Sequence, residues 1–264
     1  MAPFRILARG DWSSAAIRVR WTASTLRMPP EVDLLVERTW AEALRRPDIT
    51  LFDGPLCRLE DWQCDQDGLV LTLSRTSYKI FFGTNGRNPQ IADTHGPGAM
   101  ANAVGSSAAV LTADGWLVFG RRSSTMALYP GCAHPFGGCL EPGDDLDVLR
   151  DLRRELAEEA RLADADITDL RCLALAEDLT LRQPEVMCVA TTGLIRSALD
   201  GRIEPAEHSG TWAVRSDRDA IATVLAGDDP MTPLTRLMLL LHGARAFGEE
   251  WFASAHASIT ARLA

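Results

Sequence analysis

Glutamates 155, 158 and 159 fall within the stretch RRELAEEARL, and their spacing makes them neighbours on one helical face. Like charges three and four residues apart destabilise a helix by roughly 0.2–0.5 kcal/mol per pair, so the crowding needs a reason. One reason is a solvated face on which Arg154 and Glu158 form an i,i+4 pair. The other is a hard cation, which removes the repulsion and takes oxygen ligands. The preceding segment PFGGCLEPGDD favours the cation. Glycines 137, 138 and 143 with Pro142 let the backbone turn sharply and approach a ligand, and a carbonyl can join the carboxylates around the ion. Magnesium, with manganese as the alternative, keeps water ligands for a phosphate-bearing substrate.

A second set of candidates lies downstream, in EPAEHSGTW. It holds three titratable side chains, Glu204, Glu207 and His208, of which His208 is read as a surface histidine. Upstream stand Phe52, Asp53, Arg58 and Tyr78, two aromatic rings with one anion and one cation. Each has a plain structural use: Phe52 in a core, Asp53 capping the turn at Gly54-Pro55, Arg58 as an outward strand residue, Tyr78 as a half-buried one. Arg121 and Arg122 close an apolar run and read as a solvated strand end.

The elements that must position these residues follow from hydrophobic periodicity. In residues 145–162 the leucines 146, 149, 152 and 156 make one apolar stripe, leaving the glutamates off it. The hairpin pattern SSAAVLTADGWLVFGRRS turns at Ala113-Asp114-Gly115, and DLRCLALAEDL and EVMCVATTGLI read as further strands. Helices are expected over 30–46, 218–225, 233–246 and 249–263, and short strands between 50 and 85. The Gly-, Pro- and Asn-rich segment 85–100 reads as a linker or surface loop. Interleaved strands and helices point to an α+β or α/β fold rather than a bundle, and α+β is the class expected, divided into residues 1–100 and 101–264.

Composition sets outer bounds. The chain of 264 residues carries a formal net charge of -9, which argues against nucleic acid or an anionic membrane as partner. No run approaches the roughly 18 apolar residues of a membrane span, and Arg5 and Arg9 interrupt any leader-like apolar stretch. Six cysteines without a CxxC pair suggest buried thiols in a reducing compartment, and hence a cytoplasmic location. Oligomeric state is open.

The acidic helix and its loop resemble the Nudix hydrolases. That signature runs glycine, five residues, glutamate, seven residues, then Arg-Glu-apolar-x-Glu-Glu-x-Gly-apolar. Gly138 matches the glycine, and Arg154, Glu155, Leu156, Glu158, Glu159 and Leu162 match the second half. Asp144 stands where the first glutamate belongs, nine residues separate it from Arg154, and Arg161 replaces the last glycine. The blocks TLFDGPLCRL, LTLSRTSYKIFFGTN, VLTADGWLVFGRRS and PFGGCLEP occur in the order found in one divergent branch, the UDP-glucose/UDP-galactose hydrolases.

The resemblance implies an α/β/α Nudix sandwich with a smaller N-terminal α+β domain contributing to nucleotide binding. It implies magnesium-dependent hydrolysis of a UDP-sugar to UMP and hexose 1-phosphate. Glu155, Glu158 and Glu159 become the metal ligands, and Glu207 on the later loop becomes the base for the attacking water, with Glu204 and His208 as rivals. Phe52, Asp53, Arg58, Tyr78 and Gly138 become the substrate contacts, an aromatic ring for the nucleobase and an arginine for phosphate. Arg58→Ala is then expected to raise KM more than it disturbs folding. The alternatives are hydrolysis of another nucleoside diphosphate derivative, such as ADP-ribose or a dinucleotide, and a Nudix-fold sensor that binds without cutting.

Overall fold

A computed structural model describes residues 2–46, 51–65, 67–204 and 207–262. The first half of the chain contains β1 (Phe4–Trp12), β2 (Ile17–Thr25), α1 (Pro30–Ala43), β3 (Pro55–Asp65), β4 (Gly68–Ser77), α2 (Tyr78–Phe81) and α3 (Ile91–His95). Then come β5 (Gly105–Leu111), β6 (Trp116–Arg122), β7 (Ala133–His134), β8 (Phe136–Cys139) and α4 (Val148–Glu159). The remainder is β9 (Ile167–Asp178), β10 (Gln183–Thr192), α5 (Arg196–Asp200), β11 (His208–Arg215), α6 (Arg218–Ala226), α7 (Pro233–Phe247) and α8 (Glu249–Arg262).

Among the described residues two sheets form. The larger runs β1-β9-β10-β5-β6-β11, with β7 on β6 and β8 on β5; the smaller runs β2-β4-β3. In the larger sheet β10 lies parallel to β5, with Glu185 opposite Gly105, whereas β8 runs antiparallel to β5, with Gly137 opposite Ser107 and Gly138 opposite Ser106. Side chains alternate along β5. Ala108 and Val110 face the leucine stripe of α4, and Ala109 faces Leu237 and Leu241 of α7. Helices thus cover both faces of one sheet, the α/β/α arrangement. The face of the small sheet carrying Leu69, Leu71 and Leu73 packs into the same core as α4.

Local sequence explains the element ends that matter for the site. Asp147 caps α4, accepting from the N–H groups of Leu149 and Arg150 at 3.0 Å each, and Ser14 holds the same carboxylate at 2.8 Å. At the other end Arg161, standing where the signature has glycine, adopts the left-handed conformation with φ 49°. That backbone explains why glycine suits the position.

Three expectations change. Residues 4–12, assigned to a separate N-terminal unit, instead form an edge strand of the large sheet, pairing antiparallel with β9 from Phe4↔Asp178 to Trp12↔Cys172. The supposed linker contains α3, and its Ile91, Ala92, Ala99 and Met100 pack with Val32 of α1. The acidic helix begins at Val148, because the polar turn at Asp144-Asp145 stays outside it. Thr50, the first residue of one Nudix-like block, and Leu263, the expected end of the last helix, lie outside the described residues. No helix among the described residues is long and apolar enough to cross a membrane.

Candidate active site

The site begins where β8 meets α4. Gly137 has φ 145°, and a Cβ there would stand 2.1 Å from the Ser106 carbonyl oxygen, so only glycine lets β8 lie so close to β5. In that position its N–H donates to Glu159 Oε2 at 3.1 Å. A Cβ on Gly138 would come within 3.3 Å of the Glu155 carboxyl. The glycine pair therefore brings backbone against two of the box glutamates.

Glu159 is buried, and its Oε2 also lies 2.9 Å from Nε2 of His208, the first residue of β11. The imidazole is buried too, edge-on to Phe136 at 5.3 Å between centroids. It occupies the space that a side chain on Gly120 would fill, since a Cβ there would be 2.4 Å from the ring. Exposed Glu207 completes the group: one ligand atom each from Glu159, Glu207 and His208 lie within 4.8 Å of one another.

Electrostatics mark the cluster as incomplete without a cation or protons. Burial, followed by repulsion from Glu159 and Glu158, outweighs the attraction of Arg154 and pushes the Glu155 carboxyl up to about 7. Burial, and then the contact with Glu159, raises Glu207 as well. Two carboxylates in hydrogen-bonding contact must share a proton or a positive ion. Glu159 and Glu207, with the charge of Glu155 close by, offer oxygen donors suited to a hard divalent ion. Arg122 faces the group as a fixed positive charge. Its Nε donates to the Leu128 carbonyl at 2.9 Å, and Glu159 and Glu207 partly offset the cost of its burial.

Glu207 lines a cleft of about 650 Å³, and Glu155 and Glu159 adjoin it through Gly138 and Gly137, which line it too. Tyr78, Phe81 and Leu51 line it from the N-terminal part of the chain, and Arg122, Gly137, Gly138 and Glu207 from the other side. The loop from Thr125 to Tyr129 forms a further wall, held by a 2.7 Å hydrogen bond from the Tyr129 hydroxyl to Asp178.

With this geometry in view, likeness to known proteins becomes informative. The chain is 33% identical over 200 residues to the bovine uridine diphosphate glucose pyrophosphatase NUDT22, covering 69% of this chain and 68% of that protein. The chain belongs to the NUDT22 branch of the Nudix family. The mouse protein of that name is 33% identical over 146 residues, 50% of this chain and 47% of the relative, so the chain spans about half the mouse relative's length. The human protein is 35% identical over 126 residues, 43% of this chain and 41% of its own. No family model matches the chain. Solved structures with likeness include a mutT/nudix family protein from Listeria innocua, 18% identical with a TM-score of 0.41 over 57% of this chain and 97% of that one. A MutT NUDIX hydrolase from Burkholderia pseudomallei is 25% identical with a TM-score of 0.36, over 52% and 95%.

Within this Nudix chain the residues singled out by sequence separate into groups. Glu155, Glu159, Glu207, Gly138 and Tyr78 converge on the cleft or its border. Glu158 is exposed, and its two carboxylate oxygens take hydrogen bonds from Arg154 at 3.0 and 3.1 Å. Phe52 is 78% exposed and is not in a core; it stands next to Leu51 of the cleft wall. Asp53 accepts from the Lys79 N–H at 2.9 Å, which is a capping role.

Arg58 departs most from expectation. It is buried, paired with Glu60, and donates to the carbonyls of Met100 at 3.3 Å and Gly98 at 3.2 Å. Its guanidinium ties the small sheet to the segment before β5 and does not line the cleft. His208, read as a surface residue, is buried against Glu159, and Arg122, read as solvated, lines the cleft. The sequence signal for His208 was Gly120 on the paired strand, visible only once β6 and β11 are aligned with Thr211 opposite Gly120.

Proposed function

We propose that this chain hydrolyses the pyrophosphate bond of a UDP-hexose, UDP-glucose or UDP-galactose, giving UMP and hexose 1-phosphate. The observation that carries the reading is the contact between Glu159 and Glu207 beside the Gly137-Gly138 strand, opening on a cleft with Tyr78 across it. The names of the NUDT22 relatives supply the substrate class.

Glu155 and Glu159 would hold a magnesium ion, which when bound neutralises charge on the diphosphate. The chain's own residues do the rest. Gly137 N–H and His208 fix the Glu159 carboxylate from one side, so its orientation is set before substrate arrives. Arg122, on the same wall as Glu207, presents a cation to phosphate oxygens. Tyr78, braced edge-on by Trp40 at 6.2 Å, offers a ring for the base. Glu207, the exposed member of the cluster, accepts the proton as water oxygen bonds to phosphorus and the bridging P–O bond breaks. A cytoplasmic setting belongs to the same proposal.

The test is a panel of UDP-glucose, UDP-galactose, ADP-ribose and a dinucleotide with magnesium, read by phosphatase-coupled phosphate release. UDP-hexoses should give the highest kcat/KM. Preference for ADP-ribose would move the chain to another Nudix activity, and tight UDP-glucose binding without turnover would make it a sensor.

A further inference from the structure

The mechanism above leaves one part of the cleft unused. Gln183 and Glu185 project from the same face of β10, and both line the cleft. Glu185 is only 5% exposed and Gln183 only 9%, unusual for such side chains at the start of a strand. Space for the carboxyl is made by Gly105 directly opposite, where a Cβ would stand 1.8 Å from Glu185 Oε2. No lysine, arginine or histidine forms an ion pair with Glu185 among the described residues, although the charge of Arg122 acts on it; beside it lies Ser107, a buried hydroxyl on β5. Gln183 reaches only the Cys139 sulfur, at 3.5 Å. Adjacent Asp178, by contrast, is fully engaged by the Tyr129 hydroxyl and the N–H groups of Thr180 and Leu181.

A buried carboxyl without a cationic partner is held in its neutral form, and burial here raises Glu185 to about 8. A neutral carboxylic acid and a primary amide both donate and accept hydrogen bonds. They suit an uncharged polar group and repel an anion less well solvated there than in water. We infer that Gln183 and Glu185 form a subsite for the uncharged donor–acceptor part of the ligand, the pyrimidine edge or the hexose hydroxyls. The inference rests on the nucleotide-sugar reading of the cleft. Buried polar groups of this kind discriminate strongly, because a ligand lacking the partner leaves them unpaired.

Steady-state kinetics of the wild type, Glu185→Gln, Glu185→Leu and Gln183→Ala with UDP-glucose and CDP-glucose tests the subsite. Glu185→Leu and Gln183→Ala should each raise KM for UDP-glucose about 5- to 10-fold with kcat nearly unchanged, while Glu185→Gln, which keeps a neutral donor and acceptor, stays within about 2-fold. A loss confined to UDP-glucose assigns the contact to the pyrimidine, and one shared with CDP-glucose assigns it to the hexose. Unchanged KM in both truncating variants overturns the subsite, as does Glu185→Gln behaving like Glu185→Leu. A fall in melting temperature with kcat and not KM affected would make these residues structural and also overturn it. Absence of turnover by the wild type overturns the nucleotide-sugar reading and this inference with it.

Discussion

Replacing Gly137 with alanine is expected to damage the protein far more than the gain of one methyl group suggests. The residue sits at φ 145°, where an L side chain costs about 1–3 kcal/mol in backbone strain. The added Cβ would meet Ser106 O at 2.1 Å and Ser107 Cα at 2.7 Å, both backbone atoms that cannot rotate away. β8 must therefore lift from β5, and the Gly137 N–H then leaves the Glu159 carboxylate, a charge-assisted bond worth about 1.5–3 kcal/mol. Together these give about 2.5–6 kcal/mol, which at about 2–4 °C per kcal/mol for a chain of this size is a fall of roughly 5–24 °C. Thermal denaturation by circular dichroism measures it. Gly138→Ala is the control: its Cβ meets only the movable end of Glu155, at 3.3 Å, so it should melt within a few degrees of the wild type while losing activity. A Gly137→Ala protein melting within about 2 °C of the wild type would refute the close approach of β8.

Glu159→Gln should abolish magnesium-dependent hydrolysis while the fold survives, because an amide oxygen can still accept from Gly137; activity above about a tenth of the wild type would remove Glu159 from the cluster's work. Arg58→Ala should lower stability by about 1–3 kcal/mol, since it leaves partly buried Glu60 and the Gly98 and Met100 carbonyls without their partner; a raised KM with unchanged melting would restore the substrate-contact reading. Glu155 titrates near 7 against an ordinary 4.5, so its contribution to stability is full below about pH 4.5 and lost as pH rises through 7. The shift corresponds to about 3 kcal/mol. In metal-free buffer the melting temperature should fall between pH 5 and 8, and millimolar magnesium should recover it at pH 8; no effect of magnesium there would count against a cation site.

The sequence displayed best what depends on near neighbours. The stripe of Leu149, Leu152 and Leu156 in α4 follows from helical period alone, and the flanking glutamates follow from it. The turn joining β5 and β6 was visible in Ala113-Asp114-Gly115, and Gly115 indeed has φ 75°. What escaped depends on pairing between distant strands. His208 is buried because Gly120 on the neighbouring strand leaves it room, and Glu185 is buried because Gly105 does the same. Neither partnership has a local signature. Arg58 was a misreading with a local clue: Glu60, two residues on, shares its side of the strand and its charge is opposite. An apolar setting on either side of Arg58 argued for a buried ion pair at least as well as for a ligand contact.

The antiparallel pairing of β1 with β9 bears on any attempt to dissect this protein. A fragment starting at residue 101 would present the whole free edge of β9, from Cys172 to Asp178, as an open template for other chains. Such a fragment should associate or precipitate even though every box glutamate is present. The opening residues thus act as a built-in guard strip for the hydrolase sheet, so trimming the protein to its signature region exposes what they cover.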